Sequence, residues 1–344
     1  MQEITLPFPD DWHCHLRDIP YLTRTVDDTS QRFHRVIVMP NLNPPIVNVT
    51  EAITYQNRIL QHLPNDRYFK PLMTLYLTAS LRPEEIEKAK QSQVVFACKL
   101  YPAHATTHSD AGITDIKSIY PILEAMQQQD LPLLIHGEVV DDKVNIIDRE
   151  KIFIEKELTP IIRNFPQLRV VLEHISTKIA VEYITDAPKN VAATITPHHL
   201  FLNLNHLLAD GIRPHYYCKP IVKQLEDQTA LLQAATSGNA KFFLGTDSAP
   251  HSKKNKECAV GCAGVYSAHA GIELYAEIFE QQDKLAKLAD FAGRFGAQFY
   301  GLPINPKTLT LIRKPWQIPE MLKFGDYELV PFFAGQTLNW QIKK

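Results

Sequence analysis

The chain has 344 residues with 36 Lys and Arg against 38 Asp and Glu, a formal net charge of −2, and neither sign forms a long run. That balance argues against nucleic acid or an anionic membrane as the main partner, and no stretch approaches the length of a membrane-spanning helix. Five cysteines, at positions 14, 98, 218, 258 and 262, are an odd number without a CxxC pair, so reduced thiols rather than a disulfide framework are expected.

The first residues, Met1-Gln2-Glu3-Ile4-Thr5-Leu6-Pro7, carry an acid and a proline where a signal peptide needs a basic end and then an apolar run. A cytoplasmic protein is the expectation. Short apolar runs then alternate with longer amphipathic stretches. The predicted strands cover residues 11–15, 35–40, 70–78, 94–100, 131–136, 169–174, 191–197 and 241–247, eight in all. Helix-like stretches lie between them, including 83–90, 116–128, 149–164 and 228–237.

Near-continuous apolar strands separated by helices predict a parallel sheet covered on both faces. Eight such units predict an α/β fold closed as a (β/α)8 TIM-type barrel, and the span from His13 to Asp247 is close to the roughly 250 residues typical of it. An open doubly wound sheet competes, but no GxGxxG follows the first strand. After Asp247 come a loop over 257–264 containing glycine and cysteine, a helical segment near 271–291, and an end marked by Pro303, Pro306, Pro315 and Pro319. No Gly- or Ser-rich linker divides the chain, so residues 1–344 are expected to form one domain, with a barrel core over about 8–300 and a C-terminal extension over about 301–344.

In barrels of this kind the catalytic groups stand at the C-terminal ends of the strands. Here strand one ends in His13 and His15, strand two in Asn41, strand four in Lys99, strand five in His136, strand six in His174 and strand eight in Asp247. Strand side chains alternate, so His13 and His15 share a face, with Cys14 opposite, and two imidazoles so placed can close on one metal ion. Each residue alone has a bland explanation: a hydrogen-bonded histidine, a lysine reaching the rim, an aspartate capping the next helix. Their joint placement at one mouth does not, because so many ionisable groups are tolerated together only around a ligand.

The motifs Asp11-Trp12-His13-Cys14-His15-Leu16-Arg17-Asp18, Met39-Pro40-Asn41, Cys98-Lys99-Leu100-Tyr101-Pro102, His136-Gly137-Glu138, Leu172-Glu173-His174 and Gly245-Thr246-Asp247-Ser248-Ala249-Pro250-His251 resemble those of one family. It is the compact, monofunctional bacterial dihydroorotases of the amidohydrolase superfamily, and the resemblance runs over nearly the whole chain. It implies a cyclic-amide hydrolase that reversibly closes N-carbamoyl-L-aspartate to L-dihydroorotate, the third step of de novo pyrimidine (UMP) biosynthesis. It also implies two Zn2+ ions per subunit, bridged by a hydroxide and by Lys99 carboxylated on its side-chain nitrogen. His13, His15 and Asp247 would complete one zinc, and His136 and His174 the other. Asp247 would take a proton in one step and return it to the ring nitrogen in the next.

The substrate carboxylate would fall to Arg17, whose planar fork suits two oxygens, together with Asn41 and His251. Backbone groups of Ala263 and Lys219 would hold the ring, and Lys219 stands where leucine is expected in relatives. Thr106 and Thr107 would form a lid, and a homodimer is implied. His198 and His199 end strand seven; with the zinc ligands already assigned, supporting or structural roles are expected for them. Cys14 and Cys98 are expected to pack toward the helices, Cys258 and Cys262 to bind no metal, and His104 and His108 to be solvated. Three rivals stand beside this reading: a hydantoinase-like enzyme with the same metals, a barrel aldolase using Lys99 as a Schiff base, and a metal-free structural partner.

Overall fold

A computed structural model describes residues 2–343. After β1 (Glu3–Pro7), eight strands follow: β2 (Asp10–Cys14), β3 (Arg35–Val38), β4 (Lys70–Tyr76), β5 (Val95–Leu100), β6 (Leu133–His136), β7 (Val170–Glu173), β8 (Val191–Ile195) and β9 (Phe242–Leu244). They lie in sequence order, each parallel to the next. The sheet closes just beyond β9, where the Asp247 amide donates to His13 O at 2.8 Å and the His15 amide to Ser248 O at 3.1 Å. The closure therefore passes through three of the predicted site residues, His13, His15 and Asp247.

The two faces of these strands divide as an apolar parallel sheet requires. Ile37, Leu72, Ala97, Leu134, Val171 and Phe243 fill the barrel, while Val36, Val38, Cys98, Leu133 and Leu172 pack outward against the helices. Cys14 joins the outer layer, as expected. Simple alternation fails at one point. The β2–β3 register runs Asp11 to Val36 and then Cys14 to Val38, so β2 carries one extra residue. This bulge lets Trp12 pack among the interior residues while His13, next in the chain, still turns into the mouth.

The helix expected over 149–164 is divided into Arg149–Phe153, a wide π-helical turn at Ile154–Leu158, and Thr159–Asn164. Pro160, which has no N–H to donate, sits just after that turn. The expected strand over 191–197 ends at Ile195, so His198 and His199 lie in a five-residue helix, Pro197–Phe201, capped by Thr196.

The last forty residues form β10 (Thr308–Gln317), β11 (Leu322–Phe324), β12 (Tyr327–Leu329) and β13 (Thr337–Ile342). β10 pairs antiparallel with β13 on one side and with β1 on the other, and β11 and β12 make a hairpin. The extension thus recruits residues 3–7 from the front of the chain. No described helix is long and apolar enough to cross a membrane.

Candidate metal and substrate site

The strand ends deliver their side chains to one cavity, whose lining includes His13, His15, His136, His174 and Asp247. Backbone conformation does part of the aiming. Arg17, His174 and Asp247 adopt φ of 62°, 43° and 44°, left-handed values that side-chain-bearing residues rarely take. At His174 the kink follows directly on the inward-pointing end of β7, Glu173, and at Asp247 it comes three residues after the end of β9. Strain of this kind persists where the surroundings enforce it, and Arg17 shows how: Tyr55 donates its hydroxyl to the Arg17 carbonyl.

His13 Nε2 and His15 Nε2 are 3.3 Å apart, and they lie 3.2 and 3.0 Å from Asp247 Oδ1. Zinc bonds of roughly 2.0 Å at tetrahedral angles place donor atoms roughly 3.3 Å from one another, so these three atoms fit the face of a zinc coordination tetrahedron. The other ring nitrogens are held from behind. His15 Nδ1 meets Asn41 Oδ1 at 2.8 Å, and His13 Nδ1 meets Glu173 Oε2 at 3.0 Å. Asn41 Oδ1 is an acceptor, so His15 is fixed as the tautomer that leaves Nε2 free for a metal, whereas Glu173 stands beside His13 as a charge partner without an aligned hydrogen bond to Nδ1.

The electrostatics ask for a cation. Burial opposes charge on His13, yet Glu173 and Asp247 overcome it and raise its pKa to about 9. Burial alone would also raise the Asp247 carboxyl, but the His13 and His15 contacts hold it well below the usual carboxylate range. His15, by contrast, is lowered by burial to about 4, and burial keeps His136 and His174 low as well, so three imidazoles are neutral donors.

Lys99 is fully buried, and its ammonium meets Glu173 Oε2. Burial lowers its pKa while Glu173 and Asp247 pull the other way. His136 Nε2 lies 3.0 Å from Glu138 Oε2, leaving Nδ1 as the atom available to a metal. His174 Nδ1 is buried without a partner. The ring centroids of His13 and His136 each lie 4.9 Å from that of His174. The expected first ligand set, His13, His15 and Asp247, therefore closes as a group, and a second group forms from His13, Glu173 and His174.

On the other wall, Arg17 donates through Nε to Pro250 O at 3.2 Å, and its Nη2 sits 3.2 Å from His251 Nε2. Burial, then Arg17, keeps His251 well below its usual pKa and therefore neutral. Asn41 Nδ2 donates to Thr107 O at 3.0 Å, and the Thr107 hydroxyl reaches Ala263 O at 3.5 Å. Thr106, Thr107, Lys219 and Ala263 complete the lining of a cavity of about 20 Å3. That is room for about one water, with Thr106 and Thr107 forming part of its wall.

Other candidates do not converge here. His199 bonds Thr196 Oγ1 and Pro220 O, and Cys218 donates to Pro220 O. His198 is buried with both ring nitrogens unpartnered. His104 and His108 are both exposed, as expected; His104 pairs with Asp110, and His108 places Nδ1 3.2 Å from Asn41 O. Sequence reasoning assigned no role to Glu173 or Glu138, although each belongs to a motif it quoted. Their signal was a carboxylate within two residues of a histidine that ends an apolar run.

The amidohydrolase family profile matches residues 10–305. The dihydroorotase of Coxiella burnetii is 62% identical over 343 residues, covering 100% of this chain and 99% of its own length. Two solved structures share the fold throughout. The dihydroorotase of Saccharomyces cerevisiae, in complex with 5-fluoroorotic acid, has a TM-score of 0.92 at 34% identity and covers 100% of this chain and 99% of its own. The dihydroorotase of Campylobacter jejuni has a TM-score of 0.92 at 37% identity, with 100% and 98% covered.

Proposed function

The chain belongs to the amidohydrolase family as a dihydroorotase, and we propose that it works through two zinc ions held by His13, His15, Lys99, His136, His174 and Asp247. The reaction is the reversible cyclisation of N-carbamoyl-L-aspartate to L-dihydroorotate in pyrimidine biosynthesis. The observation that carries the proposal is the convergence of two imidazole nitrogens and one carboxylate oxygen at 3.0–3.3 Å, facing an arginine–histidine pair across one cavity.

Zinc, when bound, supplies a Lewis acid for the amide carbonyl and makes water acidic enough to react near neutral pH. The chain's residues do the rest. Asp247 commits Oδ1 to the histidines and leaves Oδ2 to accept a proton in the hydrolytic direction and deliver it to the ring nitrogen. Arg17 presents its guanidinium to the substrate carboxylate beside neutral His251 and Asn41, and backbone groups of Lys219 and Ala263 orient the ring. Thr106 and Thr107 exclude water once the loop is closed. Burial favours the neutral Lys99 amine, the form that condenses with carbon dioxide, and a carbamate there would offset the repulsion between two nearby cations.

A carboxylate clamp has no use for a simple hydantoin, and a Schiff-base lysine gives the converging histidines no purpose. The homodimer and the cytoplasmic location rest on the family resemblance, and five free cysteines suit a reducing compartment. Hydrolysis of L-dihydroorotate by purified protein, before chelation, after it and after zinc is returned, tests the whole reading. Activity lost with the metal and restored by zinc is expected. Zinc-loaded protein inert toward dihydroorotate would overturn the assignment.

A further inference from the structure

Lys256 stands in a stretch, Ser252-Lys253-Lys254-Asn255-Lys256, that reads as a solvated charged turn. It is instead 4% exposed. Its ammonium donates to Tyr217 O at 2.9 Å and to Gly264 O at 2.6 Å, and among the described residues no carboxylate pairs with it. Burying an ammonium with only two backbone carbonyls and the Tyr217 ring, its centroid 5.9 Å away, as partners is costly, and an apolar side chain would fill the space at less cost. Burial lowers its pKa to about 8, which leaves it mostly charged at neutral pH.

The two carbonyls explain the expense. Tyr217 lies two residues before Lys219, and Gly264 follows Ala263 directly, so the ammonium joins the two loops whose backbone groups face the substrate ring. The Gly264 amide also donates to Tyr217 O, at 2.9 Å. Around this point the chain has no slack. A Cβ on Gly264, whose φ is 147°, would stand 2.6 Å from Ala249 O and 2.9 Å from His251 Cδ2, and one on Gly261 would stand 2.5 Å from Lys256 O. Thr107 of the lid rests on the Ala263 carbonyl.

We propose that Lys256 is a positioning residue for the dihydroorotase reaction, an ammonium clamp that holds the loops bearing Lys219 and Ala263 at the spacing the substrate ring requires. This rests on the functional reading above. It acts through backbone groups and touches neither metal nor reacting atoms, so its loss falls on substrate affinity rather than on chemistry.

The test compares zinc-loaded wild type, Lys256→Met and Lys256→Arg for KM and kcat with L-dihydroorotate, for zinc content, and for amide exchange over 217–219 and 262–265. Lys256→Met is expected to raise KM at least tenfold with kcat within about threefold, unchanged zinc and faster exchange in both loops. Lys256→Arg, which keeps the charge, is expected to recover most of the KM. An unchanged KM in folded Lys256→Met overturns the proposal, and so does loss of kcat and zinc at constant KM. If Lys256→Met does not fold, Lys256→Gln takes its place with the same readings. Wild type that does not turn over dihydroorotate sinks the functional reading instead, and the exchange data then decide the clamp.

Discussion

Replacing Arg17 with methionine removes the guanidinium while keeping much of the side chain's length. Arg17 is 9% exposed, and one edge of its fork is already spent on Pro250 O, leaving the Nη groups beside His251 for an anion. A substrate carboxylate in this wall would be desolvated on binding, and His251 and Asn41 are neutral, so of the three side chains assigned to the carboxylate only Arg17 carries a charge. Removing one partner of a buried charge pair costs about 3–5 kcal/mol, because the remaining charge stays desolvated. At about 1.4 kcal/mol per decade, kcat/KM for L-dihydroorotate should fall roughly 100- to 4000-fold. The control is dihydrouracil, the same ring without the carboxylate: its slow hydrolysis should be equal in wild type and Arg17→Met. Arg17→Lys, which restores charge without the fork, should lie between. Arg17→Met with kcat/KM for dihydroorotate within tenfold of wild type, or with both substrates impaired equally, would refute the carboxylate clamp.

Lys99→Ala should lose most bound metal together with activity, and near-normal zinc content by elemental analysis would argue that no lysine-derived bridge exists. Glu150 predicts a pH effect on stability. It is buried beneath the loop after β6, accepting from the Ser176 amide and the Thr177 hydroxyl, and burial raises its pKa from 4.5 to about 7. Because the folded state binds this proton more tightly, the contribution is fully present below pH 4.5 and is lost as pH rises to about 7, on the order of 3 kcal/mol in all. Glu150→Gln removes that slope. Urea midpoints at pH 5 and pH 8 should therefore converge in the variant relative to wild type, and equal slopes in the two proteins would show that Glu150 is not the titrating group.

The legible part of the site was local in sequence. His13 and His15 share a face because strand side chains alternate over two residues, and His136, His174 and Asp247 stood out as polar residues ending apolar runs. Glu173 and Glu138 were less legible. A carboxylate beside a histidine carries no sign of which ring nitrogen it will hold, since that depends on the neighbouring strands. Lys256 was hidden altogether, because three lysines in a short turn look solvated until Tyr217 and Gly264 are brought to them.

By itself the sequence determined the eight-fold strand–helix rhythm, the order of the strands and the polar residues at their ends, because each of these is a periodic pattern within a few residues. Only the tertiary structure decided the β2 bulge that turns both Trp12 and His13 inward, the pairing of β1 with β10, the Asn41 bond that fixes the tautomer of His15, and the placing of Glu173 against His13. These depend on partners far away in the chain: Glu3 lies opposite Ile312, and Glu173 meets His13. Such contacts form only when the closed barrel and its extension bring distant segments together, and a local period carries no record of them.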